Sequence, residues 1–330
     1  MAGMTLYGDI TPRTAAYVVV DLLKRAMPYL CLEKFGQSRS LPGNKTQSMR
    51  FRRYNSLGLR TTPLTEGVTP AAEKLTATDI TATLYPYGGL VEISDLVVDT
   101  HEDPVLQEAV AVSGEQAAKT VETLRYNVLK SCANVFYANS VVGRSNVVAV
   151  LSRSDQRRIV RALERQEAQF ITSIIKSTPS FNTESILPAY IGVTHVDMTS
   201  DIRGLQGFTS VADYGAVGKF ETEIGACEDV RYLKSTIFTP YEDAGSTVTT
   251  GKLTTSGARC DVYTVMYFGR DAYGIVALKG KFAITPIVIN PVPSKSDPLG
   301  QRGSVSWKTM QTTVILNDAW MAVGEFACTD

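Results

Sequence analysis

Imidazole is the scarcest chemistry in this chain. Of 330 residues only His101 and His195 are histidines, too few for most zinc sites or nucleophile–base pairs. The five cysteines, at 31, 132, 227, 260 and 328, form no CxxC pair and have mostly apolar or small neighbours. Buried thiols are expected, not disulfides or a nucleophile. No GxSxG elbow occurs, since Gly143-Arg144-Ser145-Asn146 has a different spacing. GxGxxG is missing, as is GxxxxGK followed by Ser or Thr. Gly245-Ser246-Thr247 and Gly251-Lys252-Leu253-Thr254 lie in a stretch without the strand-to-helix junction that a phosphate cradle needs. The pairs Glu221/Glu223 and Asp95/Asp99 read as solvated edges. The residue sets of a hydrolase or nucleotide-binding enzyme are absent, and neither a cofactor nor a metal is expected.

Excess charge is also lacking. Lys and Arg number 33, Asp and Glu 33, and charged residues make up 20% of the chain. That balance excludes a strongly basic nucleic-acid binder, and 44% hydrophobic residues exclude a disordered chain. Apolar runs stop after a few residues, as at 15–20, well short of the roughly 20 that span a bilayer. The opening MAGMTLYGDITPR carries no basic region followed by an apolar core. The expectation is a large, soluble protein made in the cytoplasm, of about two domains and with no membrane partner.

Periodicity supplies an order of elements. Thr11 and Pro12 predict a helix over 13–32 that ends or bends near Met27, before Pro28. Gln47–Tyr54 alternates as a strand and Thr78–Val91 returns; between them, residues 55–76 carry Gly58, Pro63, Gly67 and Pro70. The pattern predicts a long hairpin with an elaborate polar tip, which gains support from a partner surface because a lone hairpin is marginal in water. Asp103 and Pro104 then open a helix in which Leu106, Val110, Ala117, Val121, Leu124 and Val128 recur, predicting about 104–137, roughly 50 Å long. A shorter helix is expected over about Asp155–Gln169, capped by Ser154. Further on come strands at Ser185–Val193, Asp261–Phe268 (alternating), Phe282–Asn290, Ser304–Leu316 and Trp320–Phe326, with a βα-like piece at Gly269–Lys279. The whole is an α+β chain.

Two patches remain. Lys34, Arg39, Lys45, Arg50, Arg52, Arg53 and Arg60 lie in a stretch without one acidic residue; Arg153, Arg157, Arg158, Arg161 and Arg165 form a second cluster, diluted by Asp155, Glu164 and Glu167. No aromatic ladder, helix-turn-helix or finger pattern accompanies either. The first set is read as contacts to another subunit. For Arg157, Arg158, Arg161 and Arg165, support of the core and inward contact to a polyanion both stay open. Glu66, Glu73 and Asp79 are expected to meet basic residues of a neighbour. His195 and Asp197 would share a face of an extended segment, with His195 a hydrogen-bonded structural histidine. His101 would assist the entry to the long helix.

Arm, long hairpin, long helix and mixed body together resemble the tailed-phage major capsid protein of HK97-like fold. At residue level the resemblance runs through Tyr7-Gly8-Asp9-Ile10-Thr11-Pro12-Arg13, Thr65-Glu66-Gly67-Val68-Thr69-Pro70, Tyr190-Ile191-Gly192-Val193-Thr194-His195-Val196-Asp197 and Asp201-Ile202-Arg203. It continues in Gly269-Arg270-Asp271-Ala272-Tyr273-Gly274, Asp297-Pro298-Leu299-Gly300-Gln301-Arg302-Gly303, Trp307-Lys308 and Ile315-Leu316-Asn317. In that order, over nearly the whole chain, these are similar to the phage N4 gp56-type family. The resemblance implies an N-arm over 1–46, an E-loop hairpin over 47–91, a peripheral (P) domain over 92–185 with the spine helix, a mainly axial (A) domain over 186–280, and strands over 281–330 that return to the P domain. Gly300 and Gly303 would form a tight turn. The implied function is a capsid protein that self-associates as pentamers and hexamers into an icosahedral shell. That shell would first form as a procapsid and then hold double-stranded DNA by non-specific contact. Scaffolding, portal and decoration or cement proteins are the implied partners, with assembly in the bacterial cytoplasm. No Lys–Asn crosslink through Lys74, Asn290 or Asn317 is expected. An encapsulin-like compartment holding cargo protein is the alternative within the same fold.

Overall fold

The computed structural model describes residues 4–5, 31–96, 105–176, 182–214, 218–248, 251–278, 285–291, 293 and 297–330. The expected helix over 13–32, His101, and the Asp103-Pro104 cap lie wholly or almost wholly outside them. In chain order the elements are β1 (Met4–Thr5), β2 (Gln37–Leu41), β3 (Ser48–Tyr54), β4 (Ala77–Thr83), β5 (Tyr85–Ser94), α1 (Val105–Lys130), β6 (Val135–Tyr137) and α2 (Arg153–Arg165). Then come β7 (Ile171–Lys176), β8 (Asn182–His195), α3 (Thr199–Arg203), β9 (Phe208–Ser210), β10 (Glu223–Cys227), β11 (Val230–Ser235) and β12 (Val262–Phe268). The last four are β13 (Tyr273–Leu278), β14 (Thr285–Ile289), β15 (Arg302–Ile315) and β16 (Met321–Ala327).

One sheet has the order β1-β5-β15-β13-β2, with β14 also paired to β15. Its centre is β15, whose Val305 stands opposite both Val91 of β5 and Val288 of β14. Period-two alternation puts these on one face, where Val105, Leu106 and Val110 of α1 pack with Ile93 and Val305. Leu90, Ile287 and Ile289 point the other way and are exposed. Residues 78–91 do not return as one strand. The chain switches sheets at buried Leu84, whose N–H donates to the Gln47 carbonyl, so β4 stays with β3 while β5 joins β15.

The second sheet runs β6-β16-β12-β8-β11-β10-β9, with β7 on β8. All seven residues of β12 are buried, against the alternation expected. The reason is that both faces are covered: Tyr263, Val265 and Tyr267 pack with Ile159 and Leu163 of α2, while Met266 and Phe268 pack with Tyr126 and Leu129 of α1.

Helix α1 stops at Lys130, making it about 39 Å long. The predicted extension to 137 fails because Asn134 Nδ2 donates to the Met321 carbonyl, and Val135–Tyr137 pair in parallel with Val323–Glu325. The predicted βα piece is strand β13, entered through Asp271 at φ 56°. A cut at 185 falls inside the continuous β8, and residues 281–330 divide between the sheets, β14 and β15 in the first and β16 in the second.

Helix α2 starts two residues earlier than expected and is capped by Ser152, not Ser154. Ser152 is extended (φ −111°, ψ 156°), and its Oγ accepts from the Asp155 N–H. Ser152→Ala should therefore cost about 1 kcal/mol. The check is a lower urea midpoint with unchanged slope.

Candidate assembly surface

The hairpin β3–β4 is rooted by Met49 and Phe51, which pack against buried Leu41, Ala82, Leu84 and Val276. Pairing runs from Ser48 opposite Thr83 to Tyr54 opposite Ala77. Asn55 closes the last rung, its N–H donating to the Thr76 carbonyl at 2.9 Å and its Nδ2 to Thr76 Oγ1 at 3.1 Å. Beyond that rung every residue from 55 to 76 is exposed. Leu57, Leu59, Leu64, Val68 and Leu75 are among them, Leu59 at 95%. Inside the tip, Arg60 donates to the Ala71 carbonyl at 2.6 Å and pairs with Glu73 at 3.1 Å.

Five of the seven basic residues assigned to neighbour contact have partners within the chain. Arg52 binds Asp79 with two hydrogen bonds of 2.7 and 2.8 Å, and Arg50 approaches the same carboxylate at 3.5 Å. The Arg52 hydrogen bonds, with the Arg50 charge adding to them, hold the Asp79 carboxyl below its usual range. Lys34 pairs with Glu221 at 3.2 Å, Arg60 with Glu73, and the Arg53 guanidinium lies 5.7 Å from the Trp320 ring centre. Arg39, Lys45 and Glu66 are exposed without partners among the described residues. Asp79 and Glu73 are thus already neutralised within the hairpin.

The arginines of α2 divide likewise. Arg157 and Arg153 enclose Glu228 at 2.5 and 2.6 Å, and their hydrogen bonds lower its carboxyl to about 2. Arg158 donates to the Tyr137 carbonyl at 2.6 Å and to Ser140 Oγ, and pairs with Asp155 at 3.3 Å. Arg161 and Arg165 alone of this set are exposed and unpaired among the described residues. Three of the five arginines therefore support the body, and the surface open to an anion is Arg161 with Arg165.

His195 ends β8, its Nδ1 2.9 Å from Asp197 Oδ2, and Asp197 Oδ2 also accepts from Tyr263 at 2.8 Å. Burial, reinforced by that carboxylate, pushes the Tyr263 hydroxyl well above its ordinary range. No group of three metal-ligating side chains forms among the described residues. All five cysteines are buried and free. Gly300 has φ 66°, which favours glycine, and its N–H donates to the Asp297 carbonyl; Gly303 is already in β15, where a Cβ would meet Pro291 at 3.0 Å.

Sequence reasoning missed two ion pairs. Glu223, read as a solvated edge, has a fully buried side chain and takes two hydrogen bonds from Arg231, at 2.7 and 2.8 Å. Buried Glu325 takes two from Arg144, at 2.6 and 2.7 Å, and the Arg144 guanidinium lies 3.5 Å from the Tyr241 ring centre. No local signal announces either pair. A groove also runs along α1, lined by Val91, Val112, Gln116, Lys119, Thr123 and Leu124.

No protein-family model and no curated relative matches the sequence. Solved structures do share its architecture. The capsid of Ralstonia phage GP4 superposes with TM-score 0.66 at 11% identity, covering 100% of this chain and 99% of the other. The capsid asymmetric unit of cyanophage Pam1 gives 0.61 at 12% identity, covering all of both chains. The capsid of cyanophage P-SCSP1u gives 0.56 at 13%, over 98% and 93%. The fold is that of a phage capsid subunit. Within this HK97-like architecture, the long helix α1 lies across the six-stranded sheet, and the hairpin β3–β4 extends beyond it.

Proposed function

We propose that the chain is the major capsid protein of a tailed phage, of the N4 gp56-type family, and that it forms an icosahedral shell from pentamers and hexamers around double-stranded DNA. Its role is structural, not catalytic. The observation that carries this reading is a capsid fold matched end to end, joined to a hairpin tip whose leucines and Val68 are not covered by any of the described residues. Residues 55–76 act as the tip of the E-loop reaching over an adjacent subunit, and the groove along α1, where Val91, Val112 and Leu124 lie among polar side chains, offers it apolar contact. The six-stranded sheet with α1 serves as the peripheral domain. Strands β8–β12 form most of the axial domain, which β16 closes. Arg161 and Arg165 give the inner surface a modest, sequence-independent attraction for phosphate, and the balanced charge lets subunits associate before a genome arrives. Scaffolding, portal and decoration proteins are the expected further partners, and the virion is the site of action.

Electron microscopy of the chain expressed alone and with the scaffolding gene of its phage tests this reading. Closed shells or lattice sheets are expected in at least one of the two. A discrete monomer or dimer in both, with the chain missing from purified virions, would overturn it. Shells from virions that hold protein cargo and no DNA would favour the encapsulin-like alternative.

A further inference from the structure

Glu122 is an unusual residue to find inside a structural helix. It sits on the inner side of α1 with no exposed surface. Its Oε1 accepts two backbone N–H bonds, from Cys31 at 2.9 Å and Leu32 at 3.1 Å. These residues begin the short turn Cys31–Lys34 that leads into β2, so one carboxyl on α1 holds the start of that turn. Leu32 is itself fully buried, and its carbonyl accepts from the Tyr273 hydroxyl.

The other half of the carboxyl is unsatisfied. Glu122 Oε2 is buried with no hydrogen-bond partner among the described residues, and so is Nε of Arg125, one turn further along α1. The Arg125 guanidinium is directed elsewhere, Nη1 to Glu33 at 3.3 Å and Nη2 to Gln311 of β15 at 3.2 Å. A carboxylate buried with one bare oxygen is costly, whereas the neutral carboxyl leaves only an uncharged O–H without a partner and costs less. Satisfying Oε2 on ionisation therefore requires either that the Arg125 side chain shift towards it or that water reach it by loosening the turn.

We infer that Glu122 is a proton-linked clasp: protonated, it holds the turn Cys31–Lys34 on α1, and on ionisation it releases its grip. The other titratable groups around it are accounted for. Burial, with the Glu122 charge adding to it, pushes the Cys31 thiol up to about 11, and burial holds the Tyr273 hydroxyl far above its usual range, so both stay neutral near pH 7. Lys34 and Glu221 are paired with each other at 3.2 Å, while Glu33 faces Arg125. Burial raises the Glu122 carboxyl to about 7, opposed by Arg125 and by the two amides. Because the docked form binds the proton more tightly than the released form, docking is strongest below about pH 4.5 and is lost as pH rises through about 7.

The test is residue-resolved hydrogen exchange on the full chain between pH 5 and 8, read as protection factors for the Cys31 and Leu32 amides. This readout does not depend on shell assembly. In the wild type, protection should fall by roughly tenfold or more across that range. Glu122→Gln, which keeps the acceptor oxygen and cannot ionise, should hold protection constant. Should that variant fold poorly, Glu33→Gln provides a surface-exposed alternative. It frees Arg125 to serve Oε2 and should move the wild-type transition to lower pH. Constant protection in the wild type, an unchanged pH profile in Glu122→Gln, or a transition unmoved in Glu33→Gln would each overturn the inference.

Discussion

Deleting residues 60–75 should abolish shell formation while leaving the subunit folded. The two expectations have separate physical grounds. No residue between 55 and 76 contributes to a buried cluster, and the rungs from Ser48–Thr83 to Tyr54–Ala77, together with the Asn55–Thr76 closure, lie outside the deletion. The subunit's melting temperature should therefore stay within a few degrees of the wild type. Assembly is another matter. Leu64, Val68 and Leu75 fall inside the deletion, and burying such a side chain is worth about 1.5–3 kcal/mol before ordering costs. Losing even half of that from every copy removes several kcal/mol per subunit from a contact repeated throughout the lattice. Sedimentation and microscopy should show capsomers or monomers in place of shells. Normal shells from the deletion would sink the lattice-contact role of the hairpin, and of the exposed Glu66 with it.

The largest effect on the subunit itself should come from the Glu223–Arg231 pair. Arg231→Ala would strand a carboxylate whose side chain is fully buried between β10 and β11. Three other groups converge on the pair: the Tyr214 hydroxyl and the Phe220 N–H donate to Glu223, and Arg231 Nη2 also donates to the Gly218 carbonyl. Removing one partner of such a pair costs about 3–5 kcal/mol, a large share of the roughly 5–15 kcal/mol that holds a domain together. Denaturant melts of the unassembled chain should show that loss. The double replacement Glu223→Leu with Arg231→Met should recover most of it, since neither charge is then left alone. Equal destabilisation by the single and double changes would mean that packing against Phe220, 5.1 Å from the guanidinium, matters more than charge.

These two regions differ in how far the sequence announced them. The hairpin was legible because period-two alternation through Met49 and Phe51 and the Gly/Pro-rich tip are local signals. The switch at Leu84 was not, because β5 is defined by pairing with β15, more than two hundred residues away. Helix α1 could be read through its apolar recurrence, yet its stop was misplaced. Residues 131–137 carry no helix breaker, and a distant strand, β16, recruits them. The charged residues were the least legible. Composition identified the arginines, but whether each faces a neighbour or its own chain depends on Asp79, Glu221 and Glu228 arriving from elsewhere in the fold.

The placement of β16 also sets a timetable. Strand β12 pairs along its whole length with residues 321–327, and β6 has no sheet partner but those same residues among the described ones. During synthesis at about 5–20 residues per second, Val135 waits roughly 10–40 s for Val323 to emerge. Until then β12 presents an open edge, the kind of surface that invites wrong pairing. A chain broken off before residue 321 cannot close this sheet at all. Closure of the second sheet thus waits for residues 321–327, and the proposed lattice would receive only bodies in which that strand has already been fitted.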